Sequence, residues 1–340
     1  MRFITVETWT ALPPGAGDLF RRHEAGSLFL SRLWFETLSA TALEAGQRMV
    51  LTGVVDGDDV LAILPLLRDD GDAWRSLGNT YTSHYTVLLG ERDQDAALRC
   101  LVDGLRDLAI DLLNLNAAPH DDPGLRRLEA ALVTTGFTCH RTFRFYNWIE
   151  RLDGRSFEAY MAGRPGRLRS TIERKQRKLE REHGCTFRLT TDEGVGQALE
   201  DFKAVNRASW KAGERYQAFI ERLVHAAAEA GWLRIATLLV GERPIASQIW
   251  FVAHRKANIF RLSFDEDWRR YSPGSILTRH MMQHVIDTDR VEEIDFLIGN
   301  DAYKRDWMSE RRECEGLICQ APPPERAGGL RRLFRLGKRI

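Results

Sequence analysis

No stretch of this sequence is apolar over the roughly 20 residues that a helix needs to cross a bilayer. The first segment, MRFITVETW, also lacks the basic and then apolar layout of a secretory signal peptide. These two absences predict a cytoplasmic protein. The composition, with 44% hydrophobic and 29% charged residues, is typical of a soluble globular protein, and a length of 340 residues favours two domains.

Cysteine is scarce, and the few cysteines are scattered. An odd number of widely spaced cysteines without a C-x-x-C pair predicts reduced thiols, mostly packed in the core. It argues against a disulfide scaffold and against a structural zinc site. The five residues are Cys100, Cys139, Cys185, Cys314 and Cys319.

Sequence motifs of several enzyme classes are missing as well. There is no G-x-S-x-G, Walker or G-x-G-x-x-G motif, so serine hydrolases, P-loop nucleotidases and dinucleotide-binding enzymes lack support. His280 and His284 are spaced to share one helix face, but the sequence HMMQH lacks the glutamate of a zinc-protease motif. We therefore expect no metal site.

Charge, by contrast, is present and unevenly distributed. The net charge is +1, but the segments Arg164–His183 and Glu325–Ile340 each carry +5, so the remaining residues together carry −9. Two cationic segments on an acidic body predict an anionic partner for each. The second segment follows the proline-rich linker APPPE and places leucines and a phenylalanine among arginines, which predicts a basic amphipathic helix on an anionic membrane.

Helix and strand patterns alternate along the whole chain, which predicts an α/β (α+β) fold with a mixed sheet and helices on its faces. We divide the chain into an N-terminal half (residues 1–154), a C-terminal half (155–320), and a linker with a basic tail (321–340). The C-terminal half opens with a predicted long helical arm over residues 156–183, which is basic apart from a thin apolar stripe.

Residues 257–307 are the stretch around which the C-terminal half is organised. The pattern predicts a strand (259–264), a basic loop, a helix beginning at Ser272, a strand (291–298) and a short polar helix. Ser272 is a good N-cap residue, Pro273 suits the first helical position, and Gly274 permits close approach of a ligand to the backbone. Together with Arg269 and Arg270, this helix start predicts an anion site, and a pyrophosphate fits it best.

Several strings in this half resemble one known group of enzymes. They are SFDEDWRRYSPGSIL, IDFLIGNDAYKRDW and RPGRLRSTIERKQRKLERE, followed by SWK at Ser209–Lys211. Together they resemble the BioF2-like (CelD-type) acetyltransferase group of the GNAT superfamily, which is related to the FemAB aminoacyltransferases. The resemblance covers about residues 155–320. It implies two GNAT-like halves, each a mixed, mostly antiparallel sheet flanked by helices, and a transferase with acyl-CoA as donor.

Acyl transfer from a thioester to an amine needs a pyrophosphate pocket, a route for the amine's proton and a proton for the leaving thiolate. Asp265, at the end of a strand, is a candidate base or an ordinary turn former. Asp295, a carboxylate inside an apolar strand, is a second base candidate or a partnered structural residue. The predicted donor-binding residues are Arg269, Arg270, Ser272, Gly274 and Ser275.

The resemblance adds further candidates on the last short helix. Likeness to GNAT proteins makes Tyr303 a candidate acid for the thiolate, and likeness to FemAB proteins makes Lys304 a candidate for stabilising charge on the reacting carbonyl. Both residues fit equally a helix that covers a core edge. From the first half, His84 is a candidate base or an exposed loop histidine. The residues expected to line the cleft, or else to pack in the core, are Tyr85, Trp210 and Trp307.

The function predicted first is an acyl-CoA-dependent N-acyltransferase acting on a cell-envelope precursor, either a long-chain amino lipid such as a sphingoid base or an amino sugar. Peripheral contact with the inner membrane through the basic arm and tail accompanies this prediction, and nucleic acid is not expected as a partner. A FemAB-like transferase that uses aminoacyl-tRNA is the first alternative, with the arm holding RNA phosphates. The second is a non-catalytic envelope-associated binding protein, in which the arm is a solvated helix.

Overall fold

The computed structural model describes residues 1–69, 73–209 and 213–322. Within them lie the α-helices α1 (Ala16–Glu24), α2 (Arg32–Thr41), α3 (Gln94–Asp107), α4 (Pro123–Thr134), α5 (Phe157–Ala162), α6 (Gly166–His183), α7 (Val195–Arg207), α8 (Gln217–Glu229), α9 (Pro273–Asp287) and α10 (Lys304–Trp307). The strands are β1 (Arg2–Val6), β2 (Arg48–Asp56), β3 (Asp59–Arg68), β4 (Trp74–Ser76), β5 (Leu88–Leu89), β6 (Leu112–Pro119), β7 (Thr138–Arg151), β8 (Thr186–Thr190), β9 (Leu233–Val240), β10 (Arg243–Ala253), β11 (Lys256–Phe264), β12 (Glu293–Ile298) and β13 (Glu310–Gln320).

All of these strands belong to one sheet that runs through both halves. Its order is β1-β2-β3-β4-β6-β13-β7-β12-β11-β10-β9-β8, and β5 pairs with β3. Neighbouring strands are antiparallel except at β4–β6 and β11–β12, which are parallel. The structure therefore confirms the predicted α/β (α+β) class, with a mixed and mostly antiparallel sheet flanked by helices.

The last strand, β13, lies at the junction of the two halves. It pairs along its whole length with β7, from Glu310 opposite Ile149 to Gln320 opposite Thr138, and it also pairs with β6. This position places two cysteines opposite each other: Cys139 and Cys319 are cross-strand neighbours with their Cα atoms 4.1 Å apart, and they form a disulfide. The prediction of reduced thiols is wrong for this pair, because a separation of 180 residues along the chain hides the pairing.

The predicted helical arm over residues 156–183 is two helices, α5 and α6, with a break at Pro165. Proline has no amide hydrogen, and it disfavours helical conformation in the residue before it, so α5 ends and a new helix begins. The Arg164 side chain at the break is buried and donates to the Glu150 carboxylate (3.2 Å) and to the Trp307 carbonyl (2.9 Å). α6 then packs on α9 through its buried stripe, which includes Ile172 and Leu179.

Two hydrophobic cores lie on opposite faces of the C-terminal part of the sheet. One core contains α7 and α8 together with the helices of the first half, and the other lies beneath α5, α6 and α9. β11 and β12 separate the two cores. Ile259 and Ile294 pack in the core beneath α5, α6 and α9, whereas Phe260 and Leu297 pack in the core that contains α7 and α8. The described helices include none that is long and apolar enough to cross a membrane. The predicted amphipathic tail lies outside the described residues.

Candidate active site

A gap opens in the sheet between the parallel strands β11 and β12. They pair only from Lys256 opposite Glu293 to Asn258 opposite Asp295, and beyond that point they separate. β12 turns away through a left-handed backbone conformation at Leu297 (φ 53°) and at Gly299 (φ 125°).

On the α9 side of this gap lies a cavity of about 290 Å³, which we call the α9 cavity. It extends from the start of α9 to the last short helix, α10. Its walls include many of the residues that the sequence singles out, namely Arg269, Ser272, Gly274, Ser275, Tyr303 and Trp307. The structure thus brings the predicted anion site and the predicted acid to the same cavity.

The start of α9 presents backbone to this cavity. Pro273 occupies the first helical turn as predicted, but the Ser272 side chain makes no capping hydrogen bond, because Ser272 itself is left-handed (φ 55°, ψ 50°). Its carbonyl instead accepts from the amides of Ser275 (3.1 Å) and Ile276 (3.2 Å). Within the described residues the Gly274 amide has no acceptor, so it remains available to an anion at the positive end of the helix.

The two predicted arginines are arranged differently. Arg269 is exposed, pairs with Glu266 (3.0 Å), and lines the α9 cavity. The guanidinium of Arg270 lies over the ring of Tyr271, 4.8 Å from its centroid, and this residue is not among those lining the cavity. The geometry therefore supports an anion-binding role for Arg269 and departs from the prediction for Arg270.

A second cavity of about 260 Å³, the β11–β12 cavity, lies against the gap. Its walls are the separated parts of β11 and β12 together with Thr80 and Tyr81 from the first half. Leu262 and Tyr303 line both this cavity and the α9 cavity, so these two residues form a wall that the cavities share.

Tyr303 lies in the wall that the α9 cavity and the β11–β12 cavity share. Its ring contacts Phe296 edge-on, with 5.6 Å between the ring centroids, and its side chain is 49% exposed. Removal of water from the phenol raises its pKa above the ordinary value. A phenol in this state keeps its proton at neutral pH and is suited to give it to a stronger base such as a leaving thiolate.

Lys304, the neighbouring residue, is buried and already bonded. Its Nζ donates to the carbonyls of Phe296 (3.0 Å), Leu297 (3.4 Å) and Ile298 (2.8 Å), and burial lowers its pKa. These bonds occupy its three donors and hold the turn at the end of β12. The geometry assigns Lys304 to shaping the gap and gives no support to the predicted role in stabilising a reacting carbonyl.

Asp265 also has a structural position. One carboxylate oxygen accepts from Arg243 (2.6 Å), and the other accepts from the Asp267 amide (3.1 Å). The residue is buried and is not among those lining the α9 cavity or the β11–β12 cavity. The alternative of a turn former therefore describes Asp265, and its predicted role as a base is not supported.

A third cavity of about 100 Å³, the Asp295 cavity, lies against the paired part of β11 and β12, where Asn258 lies opposite Asp295. Its wall includes Ser83 and His84 as well as Asp295, the residue just before the separated part of β12. Asp295 accepts from the Leu297 amide (2.7 Å) and from the Asn147 side chain (3.3 Å). Burial raises the pKa of Asp295 to about 6, and the nearby Arg312 only partly opposes this effect.

His84 is held by a carboxylate that sequence reasoning did not identify. Its Nε2 lies 2.9 Å from Asp122 Oδ2, and Asp122 Oδ1 accepts from Thr86 Oγ1 (2.7 Å) and from the Leu125 amide (2.7 Å) at the start of α4. The Asp-Pro pair that begins α4 was visible in the sequence, but nothing in it linked the aspartate to His84. Among the described residues, Nδ1 of His84 has no hydrogen-bond partner.

The three aromatic residues expected in the cleft differ in where they lie. Tyr85 is fully buried in the first core, where its hydroxyl donates to the Pro65 carbonyl, so its predicted contact with substrate is not supported. Trp307 is 2% exposed but lines the α9 cavity. Trp210 lies outside the described residues.

The described part of the chain contains no cluster of histidine, cysteine or acidic residues that could hold a metal ion.

Comparison with known proteins agrees with this geometry. Residues 166–305 match the family model Acetyltransf_6, described as an acetyltransferase (GNAT) domain. That range contains the start of α9, the gap between β11 and β12, and Tyr303. No curated protein matches the chain.

Solved structures resemble the chain over nearly its whole length. FemX aligns at 13% identity with a TM-score of 0.61 and covers 93% of this chain and 97% of its own. A domain from Agrobacterium fabrum, assigned to the C-terminus of a lysylphosphatidylglycerol synthetase, aligns at 14% identity (TM-score 0.59; 89% and 92% covered). A tandem GNAT protein from the clavulanic acid biosynthesis pathway aligns at 14% identity (TM-score 0.50; 95% and 99% covered). At these identities the likeness is one of fold, and it supports two GNAT-like halves.

Proposed function

We propose, from the premise that residues 166–305 form a GNAT-type acyltransferase domain, that this protein is an acyl-CoA-dependent N-acyltransferase acting on the amine of a cell-envelope precursor. The acceptor is a long-chain amino lipid such as a sphingoid base, or an amino sugar. The observation that carries the proposal is the gap between β11 and β12, with the α9 cavity and the β11–β12 cavity sharing Tyr303 as a wall residue.

In this proposal the two substrates enter from opposite faces of the sheet. The diphosphate of the donor lies at the start of α9, near the Gly274 amide and the Arg269 guanidinium, and its thioester reaches the gap beside Tyr303. The acceptor amine arrives through the β11–β12 cavity. Holding both reactants at one gap supplies the proximity that a direct transfer requires.

The reaction then needs two proton movements. The neutral amine attacks the thioester carbonyl carbon, so a C–N bond forms and the C–S bond breaks. The Tyr303 hydroxyl gives its proton to the departing thiolate. The proton that the amine nitrogen loses passes to a base on the acceptor side, for which His84 and Asp295, both in the wall of the Asp295 cavity, are the candidates.

The basic helix α6 supports two further elements of the proposal. Arg169, Arg174 and Arg177 are exposed along it, which suits peripheral contact with an anionic inner membrane on its cytoplasmic side. The same arginines favour the second candidate function, a FemAB-like transferase in which α6 holds the phosphates of aminoacyl-tRNA.

Thermal unfolding in the presence of each donor separates these candidates, since a ligand stabilises the state that binds it. We expect coenzyme A and palmitoyl-CoA to raise the unfolding temperature, whereas uncharged tRNA leaves it unchanged. Stabilisation by tRNA alone would replace the leading proposal with the FemAB-like one. Release of free thiol with a panel of lipid amines and amino sugars then identifies the acceptor.

The donor site is tested by substituting arginines. Arg269→Ala should weaken coenzyme A binding about fivefold to tenfold, corresponding to about 1–1.4 kcal/mol for an exposed charge-assisted hydrogen bond. Arg270→Ala should have a smaller effect because that guanidinium lies over Tyr271. Arg222→Ala, on the exposed face of α8, removes the same charge away from the cavity and serves as the control. Unchanged affinity in the Arg269 variant would rule out this donor site.

A further inference from the structure

The Asp295 cavity contains a hydrogen-bond acceptor that the protein does not satisfy. Asn147, on β7, is 3% exposed and lines the cavity. Its Nδ2 donates to Ser83 Oγ (2.8 Å) and to Asp295 Oδ2 (3.3 Å), but its Oδ1 has no partner among the described residues. Leaving a buried carbonyl unpaired destabilises the folded protein, so a ligand that donates hydrogen bonds is expected there.

The orientation of this amide is fixed by its neighbour. An ionised carboxylate can only accept hydrogen bonds, so the atom of Asn147 that faces Asp295 must be the donating nitrogen. Rotating the amide by 180° would bring two oxygens together. The unpaired oxygen is therefore a property of the site.

The charges in the cavity wall also leave Asp295 without an ion-pair partner. The arginine and the lysine of the wall both pair with Glu293. Arg312 Nη2 lies 3.3 Å from Glu293 Oε2, and Lys256 Nζ lies 3.6 Å from Glu293 Oε1. Glu24, the remaining acidic residue, lies 3.6 Å from His254. No ion pair involves Asp295 in the part of the chain that the structure describes.

We propose that the Asp295 cavity binds the primary ammonium group of the acceptor, which is held by the Asp295 carboxylate and the Asn147 carbonyl. An ammonium group offers three hydrogen-bond donors and a positive charge. It can donate to the unpaired Asn147 oxygen and form an ion pair with the Asp295 carboxylate. A hydroxyl group supplies a donor without the charge, and a quaternary ammonium supplies the charge without a donor. The inference rests on the proposed function, because it assigns the place where that amine is captured.

The same cavity supplies the group that releases the amine for attack. His84 lines it with Nε2 engaged by Asp122, so the free Nδ1 can take one proton from the bound ammonium. The nitrogen then carries a lone pair, and the His84 ring carries the proton. Capture and deprotonation occur at the paired part of β11 and β12, and the neutral amine then moves to the gap, where the donor carbonyl is expected.

Binding of small probes to the full chain without an acyl donor tests the ammonium site directly. We expect ethanolamine to bind, and we expect choline and ethylene glycol to bind at least tenfold more weakly, as followed by titration calorimetry and by NMR. Choline binding as tightly as ethanolamine would overturn the proposal, because quaternary ammonium groups cannot donate to Asn147.

Variants locate the binding. Asp295→Asn should weaken ethanolamine binding at least tenfold and Asn147→Leu about fivefold. Asp201→Asn removes an equally buried carboxylate on α7 that pairs with Arg188 outside the cavity, and it should leave ethanolamine binding unchanged. A folded Asp295→Asn variant with native affinity would refute the assignment. If that variant does not fold, Asn147→Leu and the choline comparison decide.

Coenzyme A binding, measured in parallel, separates this inference from the proposed function. Loss of ethanolamine binding with intact coenzyme A binding is the expected result for the Asp295 and Asn147 variants. A native chain that binds coenzyme A but not ethanolamine would contradict the ammonium site alone. A native chain that binds ethanolamine but not coenzyme A would contradict the acyl-CoA proposal and leave the ammonium site standing.

Discussion

Asp295 is a carboxylate in the middle of a strand whose neighbours are apolar. From the described residues it accepts two hydrogen bonds, from the Leu297 amide and the Asn147 side chain, which is fewer than an ionised carboxylate can accept. A buried charge with so few partners destabilises the folded state. Such an arrangement is typical of residues kept for binding or catalysis, where pKa values depart from their ordinary range.

The pKa of Asp295 gives a stability prediction with a definite sign. Its pKa is about 6 in the folded protein and about 3.9 in the unfolded chain, so ionisation costs stability fully above pH 6 and not at all below pH 3.9. Asp295→Asn should therefore raise the free energy of unfolding by about 3 kcal/mol at pH 8, and by much less at pH 4. The charged residues that act on this carboxyl are Arg312, Glu293 and Lys304.

Urea unfolding of the native chain and the variant at both pH values measures this difference. Asp201→Asn is again the matched control, and it should have the opposite sign, since it removes the partner of Arg188. An Asp295→Asn variant that is equally stabilised at pH 4 and pH 8 would show that the carboxyl charge is not the cause.

The hydroxyl of Tyr303 is the proposed acid for the leaving thiolate. Replacing its hydroxyl by hydrogen in Tyr303→Phe removes the proposed acid but keeps the ring that contacts Phe296. General acid catalysis contributes about 10²–10⁴-fold, so kcat should fall by at least about 10²-fold while coenzyme A binding is unchanged. Steady-state kinetics with palmitoyl-CoA and a lipid amine checks this expectation. A native kcat would assign proton donation to another group.

At the scale of secondary-structure elements, local patterns predicted much of what the structure shows. The proline-started helix, the strand before it and the short helix after β12 were all readable, because N-terminal helix signals and apolar periodicity are properties of neighbouring residues. The break at Pro165 was not predicted, although proline is a local helix-breaking signal. The continuous basic pattern of residues 156–183 favoured a single helix instead. The prediction of an anion site at the start of α9 depended on this local information.

The contacts that complete the site were not predictable from local patterns. Asn147 meets Asp295 across a separation of 148 residues, and His84 meets Asp122 across 38. An asparagine in a strand carries no sequence signal for its partner. Lys304 illustrates the same limit, since its three carbonyl acceptors exist only because β12 turns away from β11.

At the scale of the whole molecule, β13 joins the two halves. It is the last described strand in sequence, yet it lies between β6 and β7 in the sheet, and the disulfide from Cys319 to Cys139 fastens it to β7. The boundary drawn from sequence at residues 154 and 155 is therefore crossed by a strand of the second half. Two halves with a shared central strand are expected to unfold together.

Matched core substitutions test that expectation. Leu128 in α4 and Leu179 in α6 are both fully buried, one in each core. Leu128→Ala and Leu179→Ala should each cost about 2–5 kcal/mol and should each lower the temperature of one common transition. Scanning calorimetry should show a single peak whose calorimetric and van't Hoff enthalpies agree. Two resolved peaks, with each substitution shifting only the peak of its own half, would show that the halves unfold independently despite the shared strand.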